Sequence, residues 1–151
     1  MNELKRVLLA EDNAKDVELT LTALDEYHLA NEVDVVRDGA EAWEYLCREG
    51  RFAKRRAGSP AVVLLDLKMP KMDGLEVLRR MRASDALRTV PVVMLTSSRE
   101  EKDLIESYRL GVNAYVVKPV DFEAFMTSVK TLGLFWAVLN EPPPGSIHRA
   151  A

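Results

Sequence analysis

VVLLDLKMPKMDG, residues 62–74, runs from four apolar residues straight into a carboxylate, Asp66, and then into a turn containing Lys68, Pro70, Asp73 and Gly74. An apolar run this short and unalternated reads as a strand covered on both faces. The proline and the Asp-Gly pair behind it mark a turn. A charge at the end of such a buried segment is costly unless it sits where the strand hands over to solvent. The stretch therefore predicts a strand whose carboxyl end carries an acid at the edge of the core.

Four more apolar runs share this character. With Ala61–Leu65 they are Arg6–Ala10, Val33–Val36, Val90–Leu95 and Ala114–Val117. Between them apolar residues recur at helical spacing. Val17, Leu21 and Leu24 mark a first helix, and Ala42, Tyr45 and Leu46 a second. Leu75, Leu78 and Met81 mark a third, and Leu104, Tyr108 and Leu110 a fourth. Phe122, Phe125, Met126 and Val129 mark a fifth. Strand and helix alternating five times predict an α/β fold: a five-stranded parallel sheet with right-handed crossovers and helices on both faces.

The chain has 151 residues, 48% of them hydrophobic, enough for one domain with a substantial core. A net charge of −3 argues against a duplex-DNA binder, which would carry a basic stripe. No segment approaches the ~18 apolar residues of a membrane span, and the N-terminal apolar stretch is too short for a secretion signal. Cys47 is the single cysteine, so an intrachain disulfide and a cysteine-cluster zinc site are excluded. A cytoplasmic protein is the simplest expectation. The basic stretch RFAKRRAGSP, residues 51–60, reads as a solvated loop, with docking of an acidic partner as the alternative.

Polar residues collect where the strands end. The first run is followed by Glu11-Asp12, the third by Asp66, the fourth by Thr96-Ser97 and the fifth by Lys118-Pro119. In open parallel sheets ligands bind beyond the carboxyl ends of the strands, where the strand order reverses. For the order 2-1-3-4-5 that point lies between strands one and three, so three acids converge beside a hydroxyl and an ammonium. Two like charges ~4 Å apart cost about 4 kcal/mol at an effective dielectric of 20, so protonation or a cation must offset them. Oxygen-only ligands with room for water suit Mg²⁺. Each piece has a plainer reading: Glu11-Asp12 as a capping turn, Asp66 as the start of an Asx turn, Thr96 as a helix N-cap, Lys118 as a surface lysine. Their conjunction on one sheet edge favours phosphoryl chemistry, with Asp66 as the nucleophile.

With LLAEDN (8–13), VVLLDLKMPKMDG (62–74), VVMLTSS (92–98) and AYVVKP (114–119) in order, the sequence resembles a response-regulator receiver domain of two-component signalling. The resemblance implies a flavodoxin-like receiver over residues 1–133, with 134–151 as a C-terminal tail. It implies that Asp66 accepts phosphate from a histidine kinase. Asp12, Glu11 and the Lys68 backbone carbonyl would hold Mg²⁺ together with Asp66. Lys118 and Thr96 would contact the phosphoryl oxygens, Tyr115 would be the aromatic switch partner of Thr96, and the Lys118-Pro119 bond would be cis. Positions 68 and 98 flank the path of the hydrolytic water in this family. A cationic Lys68 that shields the acyl phosphate, with Ser98 ill suited to orient water, predicts slow self-dephosphorylation.

The tail, LGLFWAVLNEPPPGSIHRAA (132–151), is too short for a DNA-binding output, so signalling through protein contacts is expected. Phe135, Trp136, Val138 and Leu139 form an apolar cluster that either caps the domain's own edge or makes a homodimer interface, with Phe135, Trp136 and Leu139 as its contact residues. The Leu-Phe-Trp-x-x-x-Asn-x-Pro-Pro pattern is similar to single-domain regulators that partner bacterial phytochrome kinases, and those are typically homodimers. The competing function is a Mg²⁺-dependent phosphatase of the haloacid-dehalogenase type, which also uses a strand-end Asp, Thr and Lys. Its nucleophile lies on the first strand with a second acid two residues on, where this chain has Lys68.

Overall fold

The unalternated apolar runs do form strands, and the three central ones are sealed on both faces. The computed structural model describes residues 6–26, 32–55, 58–97 and 100–118. Within them lie β1 (Arg6–Ala10), α1 (Ala14–Glu26), β2 (Glu32–Val36), α2 (Gly39–Cys47), a 3₁₀ turn (Gly50–Phe52), β3 (Val62–Leu65), α3 (Gly74–Ala83), β4 (Val92–Thr96), α4 (Glu101–Arg109) and β5 (Ala114–Val117). The strands form one parallel sheet in the order β2-β1-β3-β4-β5, as expected. The predicted fifth helix, Ser98, Pro119 and the tail with Phe135, Trp136 and Leu139 lie outside the described residues.

Alternate residues of each strand feed two cores. Val7, Leu9, Leu64, Val93 and Val116 pack with Val17 and Leu24 of α1 on one face. Leu8, Val63, Leu65, Val92 and Met94 pack with Tyr45 of α2 and Val77, Leu78 and Met81 of α3 on the other. Each such side chain, taken from water to full burial, contributes roughly 1.5–3 kcal/mol. β2, at the sheet edge, is only half buried over most of its length.

Helix starts follow local capping chemistry. Asn13 Oδ1 accepts from the amides of Lys15 and Asp16, Asp38 Oδ1 from Glu41, and Asp73 Oδ1 from Glu76. Asp73 therefore caps α3, and Gly74 is the helix's first residue. Some strand bounds differ from those read in the sequence. β3 starts at Val62 and β4 at Val92, because Pro91 lacks a donor and the Val90 carbonyl is taken by the Arg82 guanidinium. The loop after α2 is not simply solvated. Arg55 stacks over the Tyr45 ring and donates to the carbonyls of Tyr45 and Gly58, and Arg51 pairs with Glu41.

One helix reverses its expected face. Leu104 and Tyr108 of α4 are 38% and 52% exposed, whereas Asp103 and Ser107 are buried at 5% and 0%. Of the three residues that marked the apolar spacing, Leu104 and Tyr108 point outward, and only Leu110, the C-cap residue, packs against the core.

Candidate functional site

Parallel register brings the strand ends level. Ala10 pairs with Leu65, and Leu65 with Met94. The ladder then extends one residue further. Glu11 N donates to Val36 O at 3.0 Å, Asp66 N to Ala10 O at 3.0 Å and Lys118 N to Thr96 O at 2.8 Å. Each polar residue is thus held by its main chain just beyond the last apolar one, which resolves the oddity of a charge at the end of a buried strand.

The side chains meet above that edge. Glu11, Asp12 and Asp66 each bring a carboxylate oxygen into a group lying within 4.8 Å of one another. Glu11 and Asp66 are buried, at 2% and 5% exposure, while Asp12 faces solvent. Lys118 Nζ lies 2.8 Å from Glu11 Oε1, 2.8 Å from Asp16 Oδ2 and 3.3 Å from Asp66 Oδ2. These residues and Lys68 line a cleft of about 550 Å³.

Electrostatics follow from four carboxylates facing one ammonium. Burial pushes the Glu11 carboxyl from 4.5 up to about 7; the Lys118 hydrogen bond opposes this, and hydrogen bonding and charge from Asp66 add to it. Burial alone would lower Lys118, but hydrogen bonds to Asp16 and Glu11 and the charge of Asp66 carry it above the ordinary lysine value. Both routes expected for relieving the acidic cluster are therefore in use: a fixed cation, and a carboxyl that holds its proton more tightly. The excess of negative oxygen donors and the absence, among the described residues, of histidine or cysteine donors in the cluster suit a hard divalent cation.

The remaining candidates are placed less uniformly. Thr96, at the end of β4, is fully buried, and its neighbour Ser97 lines the cleft at that strand. Tyr115 on β5 is half buried against the core beneath α3. The Asp66 side chain does form an Asx-type turn, Oδ1 accepting from the Lys68 amide at 3.3 Å. The Lys68 ammonium lies 3.6 Å from Asp103 Oδ2 on α4, so its side chain is engaged by a helix rather than extended over the acids. Asp16 was missed. An acid in the first turn of α1 reads as ordinary helix-dipole chemistry; only the fold shows that four residues after Asp12 it turns toward Lys118.

Comparison with known proteins agrees with this geometry. Residues 7–130 match the response regulator receiver domain family. Response regulator Rcp1 of Synechocystis is 36% identical over 135 residues, spanning 89% of this chain and 90% of that one. The bacteriophytochrome response regulator RtBRR is 62% identical with a TM-score of 0.82, covering 97% of this chain and 88% of its own. The Mn²⁺-bound form of Rcp1 superposes with a TM-score of 0.77 at 34% identity, over 92% of this chain and 99% of that one. The phosphatase alternative finds no support in these matches or in the position of Asp66 on β3. The chain belongs to the response regulator receiver domain family, the phosphoacceptor signalling domains of two-component systems.

Proposed function

We propose that Asp66 is the phosphoacceptor, receiving its phosphoryl group from a sensor histidine kinase. A single observation carries this reading: a buried carboxylate at the sheet's switch point sits 3.3 Å from a lysine ammonium and shares an oxygen cluster with Glu11 and Asp12. An Asp66 oxygen forms the new bond to phosphorus as the phosphorus–nitrogen bond of the kinase phosphohistidine breaks, and the electron pair returns to the imidazole. Lys118 offsets the charge that develops on the phosphoryl oxygens. Thr96, buried in the unphosphorylated state, hydrogen-bonds one of those oxygens after a local shift, and Tyr115 moves into the space it leaves.

The all-oxygen donor set fits Mg²⁺, held by Asp12, Asp66 and the Lys68 carbonyl, with Glu11 acting through water. Bound there, the ion supplies charge neutralisation at the transferring group. The chain turns over only its own phosphate and is not an enzyme toward other substrates.

The likeness to RtBRR supports a bacteriophytochrome as the kinase, with signalling in the cytoplasm through protein contacts. Among the described residues no helix is long and apolar enough to cross a membrane. Phe135, Trp136 and Leu139 join two chains as a homodimer, which predicts a light-scattering mass of twice 17.0 kDa; a monomer mass at micromolar concentration removes that part.

The test of the central reading is acetyl phosphate with and without Mg²⁺. Label is expected only with the metal, and only on the peptide containing residue 66. Label on another residue overturns the assignment.

A further inference from the structure

The ammonium of Lys118 is fully engaged. It carries three N–H groups. It meets three carboxylates: Glu11 Oε1 at 2.8 Å, Asp16 Oδ2 at 2.8 Å and Asp66 Oδ2 at 3.3 Å. A phosphoryl group on Asp66 brings roughly −1.5 to −2 charges and three acceptor oxygens. For Lys118 to donate to one of those oxygens, one of its present bonds has to yield.

Exposure decides which. The Glu11 side chain is 3% exposed, so losing the lysine would leave a buried carboxylate without its cation. Asp66 is the proposed acceptor and stays beside the lysine whatever it carries. The Asp16 side chain is 30% exposed, and its carboxylate turns from Lys118 to water at little cost. Only that side chain has to move, since the Asp16 amide is tied to Asn13 Oδ1 in the first turn of α1. Asp16 lines the same cleft as Glu11, Asp12 and Asp66, yet it lies outside the group of three acids whose oxygens converge within 4.8 Å. Its contact in the cleft is therefore the lysine rather than the cation cluster. We propose that Asp16 is an internal stand-in for the phosphoryl group: its carboxylate occupies the Lys118 donor that a phosphoryl oxygen takes, and it thereby weakens the hold of the cleft on phosphate.

Two effects of Asp16 oppose each other. It helps to aim Lys118 into the cleft, which favours phosphate, and it competes for the same ammonium, which disfavours it. Competition is the larger. Without Asp16 the lysine keeps Glu11 at 2.8 Å and Asp66 at 3.3 Å, so two anchors still aim it. The third N–H is then released to water, and a phosphoryl oxygen takes it without displacing a carboxylate. Repulsion between the Asp16 charge and a nearby phosphoryl group acts in the same direction. Asp16 is a positioning residue here, acting through Lys118, and it touches neither the phosphorus nor the bond that forms.

This inference rests on Asp66 being the phosphoacceptor, and the experiment separates the two. Wild type, Asp16→Asn, Asp16→Ala, Glu18→Gln and Asp66→Asn are titrated calorimetrically with beryllofluoride, a mimic of the phosphoryl group, in Mg²⁺ shown to be saturating for each. Binding to Asp66→Asn as tight as to wild type, or no binding to wild type, overturns the phosphoacceptor reading. Given binding that needs Asp66, Asp16→Asn and Asp16→Ala each bind beryllofluoride about fivefold tighter than wild type. A merely structural role would not give this sign, because a disturbed cleft binds more weakly. Glu18→Gln removes one charge from an exposed position of the same helix, and its affinity stays that of wild type. The gain in the Asp16 variants persists at about 0.5 M NaCl, where repulsion between separated, exposed charges is largely screened. Unchanged or weaker binding in either Asp16 variant, an equal gain in Glu18→Gln, or a gain that vanishes in salt overturns the competition for Lys118.

Discussion

Asp66→Asn takes up no label from acetyl phosphate, yet it folds as well as the wild type. The asparagine amide oxygen is too weak a nucleophile to form the acyl phosphate, so incorporation drops to background. The structural cost is small. Asn has nearly the same shape, and its oxygen still accepts from the Lys68 amide. Lys118 keeps Glu11 and Asp16, each at 2.8 Å. A change in unfolding free energy within about 1 kcal/mol near pH 7 is expected. A residual label above background defeats the assignment of Asp66.

The same variant carries a signature in pH. The Glu11 carboxyl titrates near 7 in the fold against an ordinary 4.5. A raised acid stabilises the fold fully below its unfolded value, and that contribution is lost as pH climbs through the folded one. Metal-free wild type therefore loses stability between pH 4.5 and 7, on the order of 3 kcal/mol from this group. Burial is the main cause and remains in Asp66→Asn, but the hydrogen bond and charge of Asp66 do not. Urea unfolding in chelator at pH 5 and pH 7.5 should show a smaller fall for the variant. Equal falls mean that Asp66 does not raise Glu11.

The sheet was legible because strands buried on both faces leave unbroken apolar runs, and the site was legible because charged residues stand directly behind those runs. Glu11, Asp66 and Lys118 are each one residue past a strand end, so their convergence needs only the strand order. Two things escaped for the same reason. Asp16 and Asp103 are acids on helices, where acids ordinarily face water, and each instead turns toward a lysine of the cleft. Periodicity locates an apolar face and assumes that it is the buried one. On α4 that assumption fails, since Leu104 and Tyr108 keep the helical spacing while the inward side carries a carboxylate and a hydroxyl. Inward polar residues on a helix beside the cleft are where local pattern and global fold conflict, and such conflicts gather at functional elements.

Gly39→Ala is expected to cost about 3 kcal/mol or more and to lower the melting temperature by about 10 °C. The sign is opposite to what helix propensity predicts, since alanine inside a helix is ordinarily better than glycine by about 1 kcal/mol. Gly39 begins α2, and a Cβ there would lie 1.7 Å from the Met72 carbonyl oxygen and 2.5 Å from its carbon. Those are backbone atoms of the loop between β3 and α3, so no rotamer change relieves the clash. The loop is also held at both sides. Lys71, at φ 69°, pairs with Asp38, and the Gly74 amide donates to Leu67 O at 2.7 Å. Gly74 has no slack of its own, because a Cβ there would meet the Asp66 carbonyl oxygen at 2.4 Å. Pushing Met72 outward therefore pulls on the segment that carries Asp66 and Lys68, and phosphate uptake from acetyl phosphate should slow along with the loss of stability. Ala40→Gly, the next residue in α2, isolates propensity alone and should cost only about 0.5–1 kcal/mol, with uptake unchanged. If Gly39→Ala melts no lower than wild type, the loop yields, and the acceptor's main chain is not braced against α2.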